Sequence, residues 1–372
     1  MLVIANDHWQ IGILPGTGAS LAFGRTRLAD GGWYDVLRPT RTAGLKRYSQ
    51  CSSYVLVPFC NRVRDGLLRF GDRTWQLRRN AGDGTAMHGA AHEFPWEVVE
   101  QSDTAVTLAF CSADVVGANF PWGFSARVTY ALDGARFTVR TGLANSSAEA
   151  FPAGFGHHPY FQRGVLDPEV SEVHVEVPCE LSYQLERAMA VGAPGPVPAH
   201  ADYRRMRPLD RPFVDVCLTG RPADRPVRLE WPASGVAVSL RADDVFSHTV
   251  FFVPRRKRYF AVEPVTHAND GFNLMAARVD GHGVFVLGPG ESRSGDFHLD
   301  VEVLETARPA TASRRGSGWT GGHGPPAGDS SSPAGGAADG HRWGSSTCSL
   351  AGPREHRWLV GRLLAAKAAG EL

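Results

Sequence analysis

The sequence is poor in the features that mark several common classes of protein. Its 372 residues carry 39 Lys and Arg against 38 Asp and Glu, a formal charge of +1. Such balance gives no long-range field to gather nucleic acid or an anionic membrane surface. The six cysteines, Cys51, Cys60, Cys111, Cys179, Cys217 and Cys348, include no Cys-x-x-Cys pair and are too sparse for a disulfide-built scaffold. They are expected to be buried or idle thiols in a reducing compartment. The start, Met1-Leu-Val-Ile-Ala-Asn-Asp-His8, has no basic segment followed by a long apolar run. No stretch approaches the about 20 apolar residues that span a bilayer. No Gly-x-Gly-x-x-Gly or Walker pattern opens a predicted helix, so nucleotide binding has no support. The expectation is a cytoplasmic protein whose partner is a small neutral molecule, not nucleic acid or membrane.

What is present is a series of short strands. Residues 106–110 and 124–130 alternate apolar with small or polar side chains. Leu132-Asp133-Gly134-Ala135 then joins 124–130 to a second β-type run, 136–143. An Asp-Gly pair between two such runs predicts a hairpin, because glycine tolerates positive φ. Further strands are predicted at 173–177, 227–231, 236–240, 248–253 and 297–303, the last with Phe297, Leu299, Val301 and Val303 on one face. Amphipathic helices are almost absent, and residues 189–200, rich in Pro, Gly and Ala, read as loop. Many closely spaced strands among 42 Gly and 25 Pro point to an all-β sandwich or barrel. Composition changes near Thr306. A domain over 1–306 and a Gly/Pro/Ser-rich, disordered tail over 307–372 are therefore expected, because the tail offers too little apolar area to offset its ordering entropy.

Four polar spots lie in settings where an idle role is awkward. Asn61-Arg62 follows the apolar run Tyr54-Val-Leu-Val-Pro-Phe59, and His88-Gly89 follows Met87. His157-His158-Pro159-Tyr160-Phe161 follows a Gly-rich approach, and Glu263 follows Tyr-Phe-Ala-Val and precedes Pro264. A carboxylate at the end of an apolar strand tends to have its pKa raised by desolvation, and imidazole titrates near neutrality. Glu263 can thus take a proton and His158 can give one. Each also admits a plain structural role, as an edge-strand Glu and a core His. Adjacent side chains on a strand point to opposite faces, so His157 and His158 make a poor chelate. Asp215 interrupts the apolar run Phe213-Val-Asp-Val-Cys-Leu218, and Arg255-Arg-Lys-Arg258 reads as a solvated turn.

In sequence order these segments resemble the aldose 1-epimerase (galactose mutarotase) family over roughly residues 10 to 305. The resemblance rests on Asn61-Arg62, His88-Gly89 with Pro95-Trp96, Pro152-Ala-Gly-Phe-Gly-His-His-Pro-Tyr-Phe161, Val214-Asp215-Val-Cys217, Glu263-Pro-Val-Thr-His267 and Leu287-Gly-Pro-Gly-Glu-Ser292. It implies a large antiparallel β-supersandwich, few short helices and a sugar cleft across one sheet. It also implies His158 as general acid, Glu263 as general base, and Arg62, His88 and Asp215 as groups that hold the sugar. His157 receives no catalytic role. Trp96, Tyr160 and Phe161 can offer stacking faces to a pyranose, core packing being the better use for Phe161.

The implied chemistry is anomer interconversion by acid/base ring opening and closure, with a monosaccharide substrate, no metal and no cofactor. A hexose-6-phosphate branch stays open, with Arg62, Arg64, Arg163 or Arg255 as phosphate-facing cations. A non-catalytic carbohydrate binder on the same fold also stays open, although a binder needs neither acid nor base. Removal of residues 307–372 is expected to leave anomerisation unchanged when full-length and truncated proteins are compared by polarimetry; a large loss would show that the tail takes part.

Overall fold

The computed structural model describes residues 1–210 and 213–304; the tail expected over 307–372 lies outside the described residues. Within them the regular structure is almost wholly antiparallel β, with one short α-helix, Gly271–Ala276, and a few 3-10 turns. The strands predicted from alternation form, and the 124–130 and 136–143 runs lengthen into Phe124–Asp133 and Arg136–Asn145. Their hairpin closes at Asp133↔Arg136 with Gly134 at φ +52°. Residues 189–200 are less irregular than expected: they contribute two-residue strands, Met189–Ala190 and Gly195–Pro196, that pair with neighbours. Ladder hydrogen bonds to those neighbours override the weak local propensity.

Two large sheets carry the fold. In the nine-stranded sheet the order is Glu97–Gln101, Ala105–Cys111, Phe124–Asp133, Arg136–Asn145, Ser292–Val303, Val236–Ala242, Val227–Trp231, His174–Glu176 and Arg207–Pro208. The eight-stranded sheet runs Gly195–Pro196, Leu181–Ser182, Val214–Thr219, His248–Val253, Tyr259–Val265, Gly156–His157 and Val55–Leu56, with Tyr160–Gln162 also paired to Tyr259–Val265. A four-stranded sheet of Leu2–Ala5, Trp9–Leu14, Ser20–Arg27 and Trp33–Asp35 opens the chain.

The core lies between the two large sheets. Phe297 of one lies 5.1 Å from the His157 ring of the other, and Trp231 Nε1 donates to the Gln162 carbonyl at 3.0 Å. Phe251 and Phe260 are fully buried, and burying each contributes about 1.5–3 kcal/mol relative to exposure. Phe297, Leu299 and Val301 share this buried face as expected, whereas Val303 at the strand end is 47% exposed.

The opposite face of the eight-stranded sheet positions the site. On Tyr259–Val265, Phe260 and Val262 join the main core, while Ala261 and Val265 belong to a second cluster with Tyr54, Leu56, Cys60, Tyr160 and Val250. Alternation therefore turns Glu263 outward with Ala261 and Val265. Gly156 pairs with Val265 and Tyr160 with Ala261. The same register carried through the break between those two short strands sets His158 opposite Glu263. Pro159, which has no N–H to donate, occupies the break. The His158 amide instead donates to the Tyr54 carbonyl at 3.1 Å.

This register depends on close backbone approach at Gly156, where a Cβ would lie 2.7 Å from Val265 Cγ1 and 2.9 Å from the Pro264 oxygen. Gly156→Ala is expected to cost roughly 1–3 kcal/mol, as overpacking in a filled interior does. Urea denaturation measures the loss, and an unchanged midpoint would show that the strand yields there without cost.

Candidate functional site

Five side chains singled out from the sequence, His158, Glu263, Arg62, His88 and Asp215, meet on the outward face of the eight-stranded sheet. His158 Nε2 lies 3.1 Å from Glu263 Oε1, and both side chains are buried. The His88 ring is 5.6 Å from that of His158, nearly perpendicular to it. Asp215, on Val214–Thr219, reaches the same face as Glu263 through the register Asp215↔Phe252↔Ala261. The charges of Asp215 and Arg62 both act on Glu263, and that of Arg62 acts on Asp215.

Arg62 and His88 come from a separate loop region, fastened to the sheet by polar contacts. His267 Nε2 accepts from the Cys60 amide at 3.1 Å while Nδ1 lies 2.8 Å from the Ala268 carbonyl. The proton is therefore on Nδ1, and this histidine staples the turn before Arg62 to the end of the Glu263 strand. The Asp270 amide donates to the Arg62 carbonyl at 2.9 Å, and the Arg64 amide donates to Asp270 Oδ1 at 2.9 Å. Arg62 then pairs with Met87 across a two-residue ladder, and the His88 amide donates to the Asn61 carbonyl at 2.8 Å. Asn61 and His88 both adopt positive φ, 52° and 65°. Gly89 follows at φ +77°, where a Cβ would sit 2.1 Å from the Val57 oxygen. Arg62 Nε is held by Asp83 at 2.8 Å.

Electrostatics set the proton count of the pair. Burial drives the Glu263 carboxyl well above the usual carboxylate range; the Asp215 charge adds to the rise and Arg62 opposes it. Burial, followed by the Arg38 cation, pushes the His158 imidazole down to about 3. Both directions favour uncharged groups, so a pair in contact at 3.1 Å holds one proton, resting on the carboxyl. His88 is driven well below its usual range, chiefly by burial, and is neutral. Asp215 is raised by burial, with Arg62 opposing. His88 Nδ1, His158 Nδ1 and Glu263 Oε2 are buried polar atoms with no hydrogen-bond partner among the described residues.

Other expectations meet different outcomes. His157 points into the core, 2.6 Å from Thr141 Oγ1 and against Phe297. Trp96 is buried, with Nε1 donating to the Ala91 carbonyl at 3.0 Å and its ring against Phe110, so it offers no face to a ligand. Phe161 is core, whereas Tyr160 joins the site, its hydroxyl 3.3 Å from His158 Nε2. Arg163 is committed to Ser171 and the Leu209 carbonyl, Arg64 to Asp270, and Arg255 lies over the Phe213 ring. Cys51, Cys60, Cys179 and Cys217 are free and buried. Two neighbours of the His158–Glu263 pair were missed. Tyr54 stacks on His158 at 4.9 Å; as the first residue of the apolar run before Asn61-Arg62, it carried a faint signal. Arg38, whose charge reaches His158, carried none.

Comparison with known proteins agrees with the architecture. The aldose 1-epimerase family profile matches residues 16–300. The uncharacterized protein YphB of Escherichia coli (strain K12) is 28% identical over 289 residues, covering 74% of this chain and 92% of YphB. A galactose mutarotase-like protein from Clostridium acetobutylicum superposes with a TM-score of 0.72 at 20% identity, over 81% of this chain and 95% of that one. The GalM/aldose epimerase homologue from C. elegans gives 0.68 at 15% identity, over 82% and 99%. At these identities the likeness to solved structures is one of fold, a galactose mutarotase-like β-supersandwich. The chain belongs to the aldose 1-epimerase family, and membership implies a sugar substrate.

The buried histidines also set a pH dependence of stability. Burial holds His157 and His248 at about 3 and His267 at about 4. Unfolded imidazoles take up protons near pH 6.5. The folded state therefore enjoys its full advantage above about pH 6.5 and loses it as pH falls toward these depressed values. Glu263 has the opposite sign, because its raised affinity costs stability as pH climbs through the ordinary carboxylate range. The urea midpoint is expected to fall between pH 6.5 and 4, less steeply in His157→Asn; parallel slopes would show that His157 does not contribute.

Proposed function

We propose that the protein is an aldose 1-epimerase that interconverts the α and β anomers of a free aldose, with the activity contained in residues 1–306. The observation that carries this reading is the buried 3.1 Å contact between His158 Nε2 and Glu263 Oε1. In a cyclic aldose the ring oxygen and the anomeric hydroxyl are borne on one carbon. Two groups that act on them at once must themselves be neighbours, within hydrogen-bond reach of both oxygens.

In ring opening His158 gives a proton to the ring oxygen while Glu263 removes the proton of the anomeric hydroxyl. The pair starts with its one proton on the imidazole and ends with it on the carboxyl. The hemiacetal opens to the aldehyde, C1 turns about its bond to C2, and the reverse transfers close the ring on the other face. Only protons move. Burial, which favours the uncharged distribution, favours the opened side; the Arg62 cation, which favours ionised Glu263, supports the closed side. The reacting distribution is thus the one that burial disfavours and Arg62 supports, and it is restored when the ring closes on either face.

Arg62, His88 and Asp215 would hold the remaining hydroxyls and the ring oxygen. Neutral His88 offers an orphaned ring nitrogen, and half-buried Asp215 offers an acceptor. The half-buried ring of Phe252, beside this cluster, offers apolar surface for the pyranose face, whereas the Tyr160 ring is taken up by Arg38 and His158.

The purified protein is expected to speed the polarimetric decay of fresh α-D-glucose or α-D-galactose. Glu263→Gln should lower the rate by about 10²–10⁴-fold, the range of general acid–base catalysis, with circular dichroism unchanged. Equal rates in wild type and variant, above the buffer blank, reject Glu263 as base. A panel of aldoses and their 6-phosphates in the same assay identifies the substrate.

A further inference from the structure

Against Tyr160, a neighbour of His158, lies a cation that the reading above does not use. Arg38 follows the fourth strand of the N-terminal sheet, and its amide donates to the Tyr160 carbonyl at 2.8 Å. Its guanidinium carbon sits 3.8 Å from the centre of the Tyr160 ring and 4.5 Å from that of Tyr259, in range for cation–π contact with both. Nη2 donates to the Cys51 carbonyl and, at 3.4 Å, to the Ser49 carbonyl. Its Nε is buried without a partner, and no carboxylate pairs with Arg38 among the described residues. Desolvating an unpaired cation is costly, and the aromatic faces and carbonyls offset that cost only in part. Placement of this kind suggests that the charge has a use.

Tyr160 in turn meets His158. The Tyr160 ring lies 4.3 Å from the His158 ring, and its hydroxyl lies 3.3 Å from His158 Nε2. Arg38, Tyr160 and His158 thus form a run of contacts, cation to phenol to imidazole, that ends on Glu263. We propose that Arg38 is a positioning residue for the acid–base pair: it fixes Tyr160 against His158 and, as an uncompensated positive charge, makes the imidazolium a stronger acid toward the substrate. The groups facing His158 are Glu263 at 3.1 Å, the Tyr160 hydroxyl, the Tyr54 ring at 4.9 Å, the neutral His88 ring at 5.6 Å, and the Arg62 and Arg38 cations. Of the two cations, Arg38 acts on His158 more strongly than Arg62. Arg62 is compensated by Asp83, and Arg38 has no such partner among the described residues.

The sign follows directly. A positive charge opposes every protonation of the pair. Replacing Arg38 by a neutral side chain therefore raises both proton affinities: uptake of a second proton in acid and loss of the single proton in base both move to higher pH. For a half-buried charge acting across one aromatic ring, the shift is about 0.5–1 pH unit.

The proposal rests on the anomerisation reading, and two readouts keep the fates of the two separate. In polarimetry, both limbs of the kcat–pH profile are expected to move upward by about 0.5–1 unit in Arg38→Met, with kcat at neutral pH about 10-fold lower and KM within about two-fold. Arg38→Lys, which keeps the charge, should restore the wild-type limbs. NMR of ring-15N histidine follows His158 itself without substrate, and the same upward shift is expected there whether or not any aldose is turned over. If Arg38→Met does not fold, Arg38→Gln, which keeps an NH2 donor for the carbonyls, takes its place. An unmoved His158 titration in the neutral variant overturns the proposal, and so does an equal shift in Arg38→Lys. Loss of stability alone, with unmoved limbs, would reduce Arg38 to a structural part.

Discussion

The site depends on placing a carboxyl and an imidazole in contact where water is nearly excluded. In water such a pair would be an ordinary ion pair of little consequence. Buried at 3.1 Å, the two become a unit that holds one proton, and the position of that proton is set first by burial and then by the nearest charges. Asp215 favours the protonated carboxyl and Arg62 the ionised one. Much of the surrounding architecture can be understood as what keeps this unit dry and its neighbours fixed.

The means are those of β-structure. Period-two alternation sends Phe260 and Val262 into the core and leaves Glu263 on the opposite face, while His157 and His158 divide in the same way. The inward histidine bonds Thr141 across the sandwich, and the outward one meets Glu263. Burial of the pair then comes from segments that are not part of the ladder. Tyr54 stacks on His158, and the loop bearing Asn61 and Arg62 is stapled down by His267 and Asp270. Positive φ at Asn61 and His88 suggests that this loop carries backbone strain which the surrounding bonds sustain, a pattern common where side chains must be aimed.

A good part of this was legible beforehand. Alternation and the Asp133-Gly134 turn were enough for the strands, since both are local. Glu263, His158 and Asp215 were visible because a titratable group inside an apolar run is costly and asks for a reason. Trp96 misled for the converse reason: an aromatic beside a motif carries no mark of whether it faces ligand or core, and here Phe110 and the Ala91 carbonyl claimed it. Residues 189–200 gained short strands because partners elsewhere in the chain supplied hydrogen bonds that local composition does not reveal.

By itself the sequence determined the kinds of surface available: which face of each strand is apolar, where turns fall, and which groups can exchange protons near neutrality. Those properties belong to a residue and its near neighbours. Tertiary structure decided who meets whom. That His158 falls opposite Glu263, over a hundred positions away, follows from the register of Gly156 on Val265 and Tyr160 on Ala261. That Arg38 stacks on Tyr160 follows from where the N-terminal sheet docks. Register and docking are fixed by hydrogen bonds and packing between distant segments, and energies of that kind exist only once the chain has closed on itself.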